Sequence, residues 1–161
     1  MKALSIERSI HVEVDTNTAW TVVADLNRYH QFVPTLREST IIAGDALDAR
    51  RRCADTSGRT WEESCVLWEP NRRYVIEVDV STYPLSYRAL FRAFRGTWSV
   101  APSGSGTQIL MRFEAELRTV PGAGAVAQRL AQRAGTDVEE ILRGYAEALA
   151  AGAAQRDSVT G

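Results

Sequence analysis

Alternation of apolar and polar residues predicts most of the strands in this chain. Near the N-terminus, "SIERSIHVEVD" places Ile10, Val12 and Val14 on one side of an extended chain and polar residues on the other. Further along, "GTQILMRFEAELR" alternates over its whole length. Both patterns are typical of half-buried strands. Weaker patterns between turn residues predict further strands at about 36–43, 48–56, 59–69 and 73–81, and at "GTWSVAP".

Helical spacing appears in two places. After the first strand, the cap-type residues Thr16 and Asn17 precede Trp20, Val23 and Leu26, which predicts one or two short helices that end before Pro34. After "PG" at 121–122, an apolar stripe of about 25 residues predicts one long helix. The stripe contains Val126, Leu130, Ala134, Val138, Ile141, Leu142, Tyr145 and Leu149.

Two segments have weaker patterns. Residues 82–94, "TYPLSYRALFRAF", combine many aromatic and arginine side chains with poor periodicity. Such a segment predicts either a strand or a mobile lid at a cavity mouth. Residues 152–161 are small and polar, which predicts a flexible tail. Residues 1–151 then form a single predicted domain.

The order of these elements predicts the fold class. One strand, short helices, about six strands and a long helix indicate an α+β protein. We expect one antiparallel sheet, because the strands follow one another through short turns. The sheet's apolar positions need a cover, and the long terminal helix is the element that can supply it.

Composition narrows the classes of partner. Hydrophobic residues make up 45% of the chain and charged residues 24%, with a formal net charge of −1. A nearly neutral chain gives no electrostatic reason to expect binding to nucleic acid or to a membrane surface. No apolar run reaches the roughly 18–20 residues of a membrane span, and "MKALSIERSI" has no signal-peptide core. These features predict a cytoplasmic protein.

The hairpin predicted around Ser57-Gly58 carries a candidate polar pair. A turn centred on these two residues places Arg52 opposite Glu63, with either a two- or a four-residue loop, and directly opposed residues share a face. A carboxylate paired in this way can orient a ligand hydroxyl or carbonyl. The alternative is a partly wet ion pair at a sheet edge, worth less than about 1 kcal/mol.

The same register separates the two cysteines. Cys53 faces Glu62 and Cys65 faces Arg50, so the two thiols are expected on opposite faces of the hairpin and as free thiols rather than as a disulfide. Neither cysteine has the companion ligands of a zinc site, and the two histidines are too distant from each other to add one. The sequence therefore predicts no metal and no cofactor.

Four stretches of the sequence resemble the START-like (SRPBCC, helix-grip) superfamily. They are "VEVDTNTAWTVVADLNRYHQFVP", "GRTWEESCVLWEPNRRYV", "GTWSVAPSGSGTQI" and the long C-terminal helix. The superfamily includes bacterial polyketide cyclases/aromatases, coenzyme-Q-binding proteins and plant ligand-binding relatives. The resemblance implies a helix-grip fold, in which a curved antiparallel sheet wraps around the terminal helix and encloses a ligand cavity, with two short helices after strand 1.

The segment beginning "GRTWE" is most similar to the polyketide cyclase/dehydratase-type branch. Two positions depart from that branch. Leu67 stands where those enzymes often carry an arginine on the cavity side, and Leu36 is the nearest counterpart of a tyrosine used there. The resemblance implies a hydrophobic, polyketide-derived ligand, and a carrier protein is a candidate partner.

Within such a cavity, we expect Arg52 to stabilise an enolate or phenolate while Glu63 moves a proton. His30, near the end of the short helices, is a candidate acid or base, although a solvated surface position is the alternative. Arg88, Arg92 and Arg95 are candidates to meet a carboxylate, a phosphate or an acyl carrier protein, and a solvated basic face is the alternative. The predicted ligand-binding residues are Trp61, Cys65, Leu67, Tyr83, Tyr87, Phe91, Trp98, Met111 and Phe113.

Three functions remain open from the sequence. The first is an enzyme that folds a reactive polyketide chain and promotes its cyclisation and dehydration, largely by positioning. The second is a binder that sequesters or delivers a hydrophobic metabolite such as a quinone, a lipid or a toxic natural product. The third is an interaction module whose cavity is filled by its own large side chains.

Overall fold

A computed structural model describes residues 2–159 and shows seven strands and three α-helices within them. In chain order they are β1 (Lys2–Val12), α1 (Thr16–Val23), β2 (Leu36–Ala43), β3 (Arg50–Asp55), β4 (Thr60–Glu69), β5 (Arg73–Val78), α2 (Leu85–Leu90), β6 (Phe91–Ser103), β7 (Gly106–Leu117) and α3 (Ala123–Val159). Short 3-10 helices cover Tyr29–Gln31 and Val80–Thr82.

All strands belong to one antiparallel sheet with the order β1-β7-β6-β5-β4-β3-β2. The sheet is open, with β1 and β2 as its edges. It curves around α3, whose buried positions include Val138, Ile141 and Tyr145. The predicted α+β helix-grip architecture is confirmed. Within residues 2–159, no helix combines the length and the hydrophobicity needed to cross a membrane.

The main apolar core lies between α1, the sheet and the C-terminal half of α3. Asp15 caps α1, because its Oδ1 accepts a hydrogen bond from the backbone N–H of Thr18 at 2.9 Å. The helix then buries Trp20 against Tyr74 of β5, with ring centroids 5.9 Å apart. The Tyr74 hydroxyl donates to the carbonyl oxygen of Val23 at 2.9 Å, which satisfies the one polar atom of this side chain.

The register of the β3–β4 hairpin differs from the prediction by one residue. Arg51 pairs with Glu63, and Arg52 pairs with Glu62. The reason is a three-residue loop: the Asp55 N–H bonds to the carbonyl oxygen of Arg59, and Gly58 has φ +84°. A three-residue loop with a left-handed glycine is a common hairpin closure, and it shifts every pair by one relative to a two- or four-residue loop.

The new register corrects the placement of the cysteines. Cys53 pairs with Trp61, on the same face as Glu63 and Cys65. The two thiols therefore share the inner face of the hairpin, and the prediction of opposite faces is wrong. Both are free, as predicted.

A bulge in β4 turns Leu67 away from the interior. Cys65 pairs with the buried Ile76, but Leu67 pairs with Val75, so the pairing shifts by one residue between them. Val75 points to the face opposite Ile76, and Leu67 points there with it. The prediction that Leu67 faces the cavity is wrong.

Residues 82–94 form α2 and the start of β6, not a single strand. The backbone of β6 bulges between Phe91 and Ala93. At the other end of the chain, α3 continues to Val159, so residues 152–159 of the predicted tail are helical. Residues 160–161 of that tail lie outside the described residues, and its flexibility stays a prediction.

Candidate functional site

Two adjoining chambers lie between the curved sheet and α3. The outer chamber has a volume of about 380 Å³ and extends from β1 and α2 to the N-terminal half of α3. The inner chamber has a volume of about 200 Å³ and extends toward β3 and Tyr29. They share the lining residues Thr35, Trp61, Tyr83, Phe94, Phe113, Ala134 and Asp137. The two chambers therefore adjoin, and together they form a cavity region of the size that binds small molecules.

Aromatic rings line this cavity continuously. On one side, the Trp61 ring lies 5.7 Å from Tyr83, which lies 5.5 Å from Tyr87, between centroids. On the other side, Phe113 lies 5.6 Å from Phe94 and 5.4 Å from Trp98. Such walls offer stacking and edge-to-face contacts to a flat ligand.

The inner chamber contains a buried ion pair between Arg51 and Glu63. The Glu63 Oε2 atom accepts hydrogen bonds from Arg51 Nε at 3.0 Å and from Arg51 Nη2 at 2.5 Å. The Glu63 Oε1 atom accepts a third from the indole Nε1 of Trp61 at 2.7 Å. Only 1% of the Arg51 side chain and 10% of the Glu63 side chain are exposed. Both oxygens of the buried Glu63 carboxylate therefore accept hydrogen bonds.

The surroundings keep Arg51 cationic. Burial by itself lowers the pKa of Arg51, but the adjacent Glu63 carboxylate raises it, and the net pKa lies above its ordinary value. The guanidinium carbon also lies 4.7 Å from the centroid of the Tyr29 ring, a cation–π contact. Its Nη1 atom makes one long bond, 3.4 Å to the Leu26 carbonyl oxygen, so this nitrogen retains capacity to donate to a ligand.

Arg52 does not belong to the cavity. It lies on the outer face of the sheet, where its Nη2 atom is 3.5 Å from Glu62 Oε1. Glu62 also accepts a hydrogen bond from Arg50 at 2.5 Å. The predicted pairing of Arg52 with Glu63 is wrong, because the three-residue loop exchanges the faces of Arg51 and Arg52.

Asp137 of α3 lines both chambers and was missed at the sequence level. Burial raises the pKa of the Asp137 carboxyl, while Arg133 one turn earlier lowers it and Glu140 raises it. The net pKa lies above the ordinary value of an aspartate. The signal was present in the sequence, since Asp137 falls at helical spacing between Ala134 and Ile141 of the apolar stripe.

A second ion pair stands at the wall of the outer chamber. Arg59 Nε donates to Asp55 Oδ2 at 2.7 Å, and Asp55 Oδ1 accepts from the N–H groups of Ser57 and Arg59. The Arg59 guanidinium carbon lies 5.2 Å from the Tyr87 ring centroid. This contact connects the β3–β4 hairpin to α2 across the chamber wall.

The structure brings six of the predicted ligand-binding residues to the cavity. These are Trp61, Tyr83, Tyr87, Phe91, Trp98 and Phe113. Cys65 and Met111 are buried in the main core and line neither chamber. Leu67 points to the outer face because of the β4 bulge.

His30 lies apart from the cavity. It belongs to the 3-10 helix Tyr29–Gln31 and lines neither chamber. Its Nδ1 atom is buried and has no hydrogen-bond partner among the described residues. His30 therefore does not meet the geometric requirement for acid–base catalysis on a ligand in the cavity.

Comparisons with known proteins identify the family of this chain. The family model described as polyketide cyclase/dehydrase and lipid transport matches residues 3–152. No curated protein matches the sequence at a significant level.

Several solved structures share the fold. The aromatase/cyclase Zhui from Streptomyces sp. R1128 is 15% identical with a TM-score of 0.72, and the alignment covers 92% of this chain and 94% of that one. TTHA0849 from Thermus thermophilus is 19% identical with a TM-score of 0.71, and the alignment covers 92% of this chain and 99% of that one. The di-domain aromatase/cyclase StfQ from the steffimycin biosynthetic pathway is 15% identical with a TM-score of 0.75, and the alignment covers 95% of this chain and 52% of that one. At these identities, the likeness establishes the shared fold.

Proposed function

Because the chain belongs to the polyketide cyclase/dehydrase and lipid transport family, we propose that it binds a hydrophobic, polyketide-derived small molecule and promotes its cyclisation and dehydration. The observation that carries this proposal is the two-chamber cavity, whose aromatic walls lead to Arg51 and Asp137. An apolar cavity with a few convergent polar groups is the usual form of a small-molecule site.

Positioning supplies the first part of the proposed chemistry. A poly-β-ketone chain cyclises when an acidic methylene loses a proton and its carbon attacks a distant carbonyl carbon of the same chain. The ring closes where the enclosed chain brings those two carbons together, and such preorganisation can be worth about 7–11 kcal/mol of barrier. The aromatic walls favour a flat, folded chain over an extended one.

Arg51 stabilises the negative charge that develops in this step. Deprotonation of the methylene gives an enolate, and attack on the carbonyl moves the charge to the oxygen of the new alcohol. Arg51 lines the inner chamber, and its Nη1 atom makes only the long bond to the Leu26 carbonyl oxygen; a fixed donor in a buried site is worth more than one in water. Glu63 holds Arg51 and the Trp61 indole in place, because both of its oxygens already accept hydrogen bonds.

Asp137 carries the proton. Its carboxyl lines both chambers, and its raised pKa brings it closer to the value at which one group both accepts and returns a proton. In the proposed sequence, Asp137 takes the methylene proton and returns a proton to the alkoxide. In the dehydration Asp137, again a carboxylate, takes a proton from the carbon next to the new alcohol and delivers it to the hydroxyl, which leaves as water.

Reconstitution with a polyketide synthase that releases a linear poly-β-ketone tests this proposal. The protein should convert the spontaneous mixture into one dominant cyclised and dehydrated product, as measured by liquid chromatography and mass spectrometry. Asp137→Asn should lower the rate by about 10²–10⁴, the usual contribution of a positioned acid or base. Glu147→Gln, an exposed position further along the same helix, is the matched control and should behave as wild type. A product mixture unchanged by the wild-type protein would overturn the proposal.

Non-catalytic binding of a hydrophobic metabolite is the second candidate. It is supported by the apolar aromatic walls, which suit a quinone or lipid equally well, and by the lipid transport in the family description. In the same reconstitution, a binder would retain the linear chain in a stoichiometric complex and leave the product mixture unchanged. Native mass spectrometry distinguishes that complex from turnover.

An acyl carrier protein is the proposed donor of the substrate. Arg88 and Arg118 are exposed beside α2, where the Arg118 Nε donates to the Arg88 carbonyl oxygen at 2.9 Å, and the adjacent Tyr87 lines the outer chamber. An acidic carrier surface would complement these arginines. Arg88→Glu should then weaken carrier binding in a salt-dependent way. A cytoplasmic location stays part of this proposal and is supported by the free thiols Cys53 and Cys65.

A further inference from the structure

Charged side chains line the cavity in sets of opposite sign. Arg51 is paired with Glu63 in the inner chamber, and Arg59 is paired with Asp55 in the outer chamber. Asp137 lies one helical turn from Arg133, and both line the outer chamber. The lining therefore presents no excess of either sign to a ligand.

An anionic ligand would lose its hydration without gaining a counter-ion. Burying an ionised carboxylate in a low-dielectric site is expensive unless a cation pairs with it. The cation of the inner chamber, Arg51, already has its Nε and Nη2 atoms on Glu63. The enolate of the proposed reaction differs from a ligand that enters as an anion, because Asp137 loses its own negative charge when it takes the proton. A ligand carboxylate would also meet the carboxyls of Glu63 and Asp137 on opposite walls of the chamber.

A cationic ligand meets the converse problem. Glu63 accepts hydrogen bonds on both oxygens, and its charge is already neutralised by Arg51. The remaining acidic group of the inner chamber is Asp137, for which Arg133 already provides positive charge nearby. A ligand ammonium would therefore be desolvated largely without a partner, which is unfavourable.

A neutral ligand avoids both costs. Its carbonyl or hydroxyl oxygen can accept a hydrogen bond from Arg51 Nη1, and its hydroxyl can donate to Asp137, while its rings contact the aromatic walls. We propose that the cavity selects uncharged ligands, so that a polyketide enters as a neutral ester, thioester or polyphenol and not as its free carboxylate. This inference rests on the proposed function, because it specifies the ligand class of the same cavity.

Three probes with the same ring system test this selection at pH 7. They are 2-naphthol, which is neutral, 2-naphthoate, which is anionic, and 2-naphthylmethylammonium, which is cationic. Isothermal titration calorimetry with the wild-type protein should give a dissociation constant for 2-naphthol at least about tenfold lower than for either charged probe. A charged probe that binds as tightly as 2-naphthol, or more tightly, would overturn the inference and leave the cavity intact as a ligand site. Binding by none of the three would overturn both the inference and the proposed function.

A single substitution should reverse the selection against anions. Glu63→Gln leaves the buried charge of Arg51 uncompensated, so 2-naphthoate should bind at least about tenfold more tightly than to wild type. Glu62→Gln is the matched control. It removes the carboxylate that Arg50 and Arg52 contact on the outer face of the sheet, and it should leave the affinities for all three probes unchanged. A folded Glu63→Gln protein, checked by circular dichroism, with no gain in 2-naphthoate affinity would contradict the inference. If that variant does not fold, the wild-type comparison decides alone.

Discussion

Glu63 is paired with Arg51 and not with the neighbouring Arg52, because the loop between β3 and β4 has three residues. Side chains alternate between the two faces of a strand, so a shift of one residue exchanges inside and outside. Arg51 is consequently buried against a carboxylate in the ligand cavity, while Arg52 lies in a wet ion pair on the outer face. The two adjacent arginines should respond very differently to substitution.

Loss of one partner of the buried pair should destabilise the protein strongly. Arg51→Met leaves the Glu63 carboxylate buried without its cation, which we expect to lower the free energy of unfolding by about 3–5 kcal/mol. Arg52→Met should cost less than about 1 kcal/mol, because exposed ion pairs contribute little. Urea denaturation measures both. Equal losses for the two variants would contradict the observed register.

The outward direction of Leu67 gives a second prediction. Leu67→Arg should change the free energy of unfolding by less than about 1 kcal/mol, since its new charge enters water. Ile76→Arg, on the neighbouring strand but 3% exposed, should be severely destabilised by the burial of an unpaired charge. An arginine at position 67 should also leave ligand affinity unchanged. Disruption by Leu67→Arg would show that β4 has no bulge.

Asp137 should make stability depend on pH. Because the pKa of Asp137 is raised in the folded protein, its contribution to stability is complete below the ordinary aspartate pKa of about 4 and is lost as the pH rises through the raised value. Asp137→Asn no longer titrates. Its free energy of unfolding, relative to wild type, should therefore increase as the pH rises above about 4. A difference that stays constant between acidic and neutral pH, measured by urea denaturation, would refute the burial of this carboxyl.

The two thiols should be unreactive in the folded protein. Burial, with the Glu63 charge as the next cause, raises the pKa of Cys53, and burial also raises the pKa of Cys65, so little of either is present as the reactive thiolate. We expect iodoacetamide at pH 8 to leave both unmodified over a period that alkylates the urea-unfolded chain completely. Mass spectrometry after timed quenching measures this. Rapid labelling of either cysteine in the native protein would place it at an accessible surface, contrary to its burial.

The fold was predictable because its signals are long and repeated. The alternation in β7 and the helical stripe of α3 each extend over many residues, so one exception does not change the interpretation. Six of the nine predicted ligand-binding residues line the cavity for the same reason. Aromatic residues clustered in strands near a lid-like segment mark such a wall even where the exact register is unknown.

The errors in the predicted site come from single residues that change the local backbone geometry. One extra loop residue, with Gly58 in the left-handed region, exchanged Arg51 for Arg52. One bulged residue in β4 turned Leu67 outward. Met111 and Cys65 do face inward, but toward the core end of the sheet, and alternation does not distinguish core from cavity along one face. Asp137 was missed because one polar residue within an apolar helix stripe is a weak signal.

Blocking the cavity at its centre tests the central claim most directly. Ala134 lines both chambers, so Ala134→Phe should fill their junction and obstruct the path between them. We predict that 2-naphthol, titrated calorimetrically, binds the wild-type protein saturably and binds Ala134→Phe at least about tenfold more weakly, with the fold retained by circular dichroism. Equal affinity for the two proteins would show that the space between the sheet and α3 is not the ligand site.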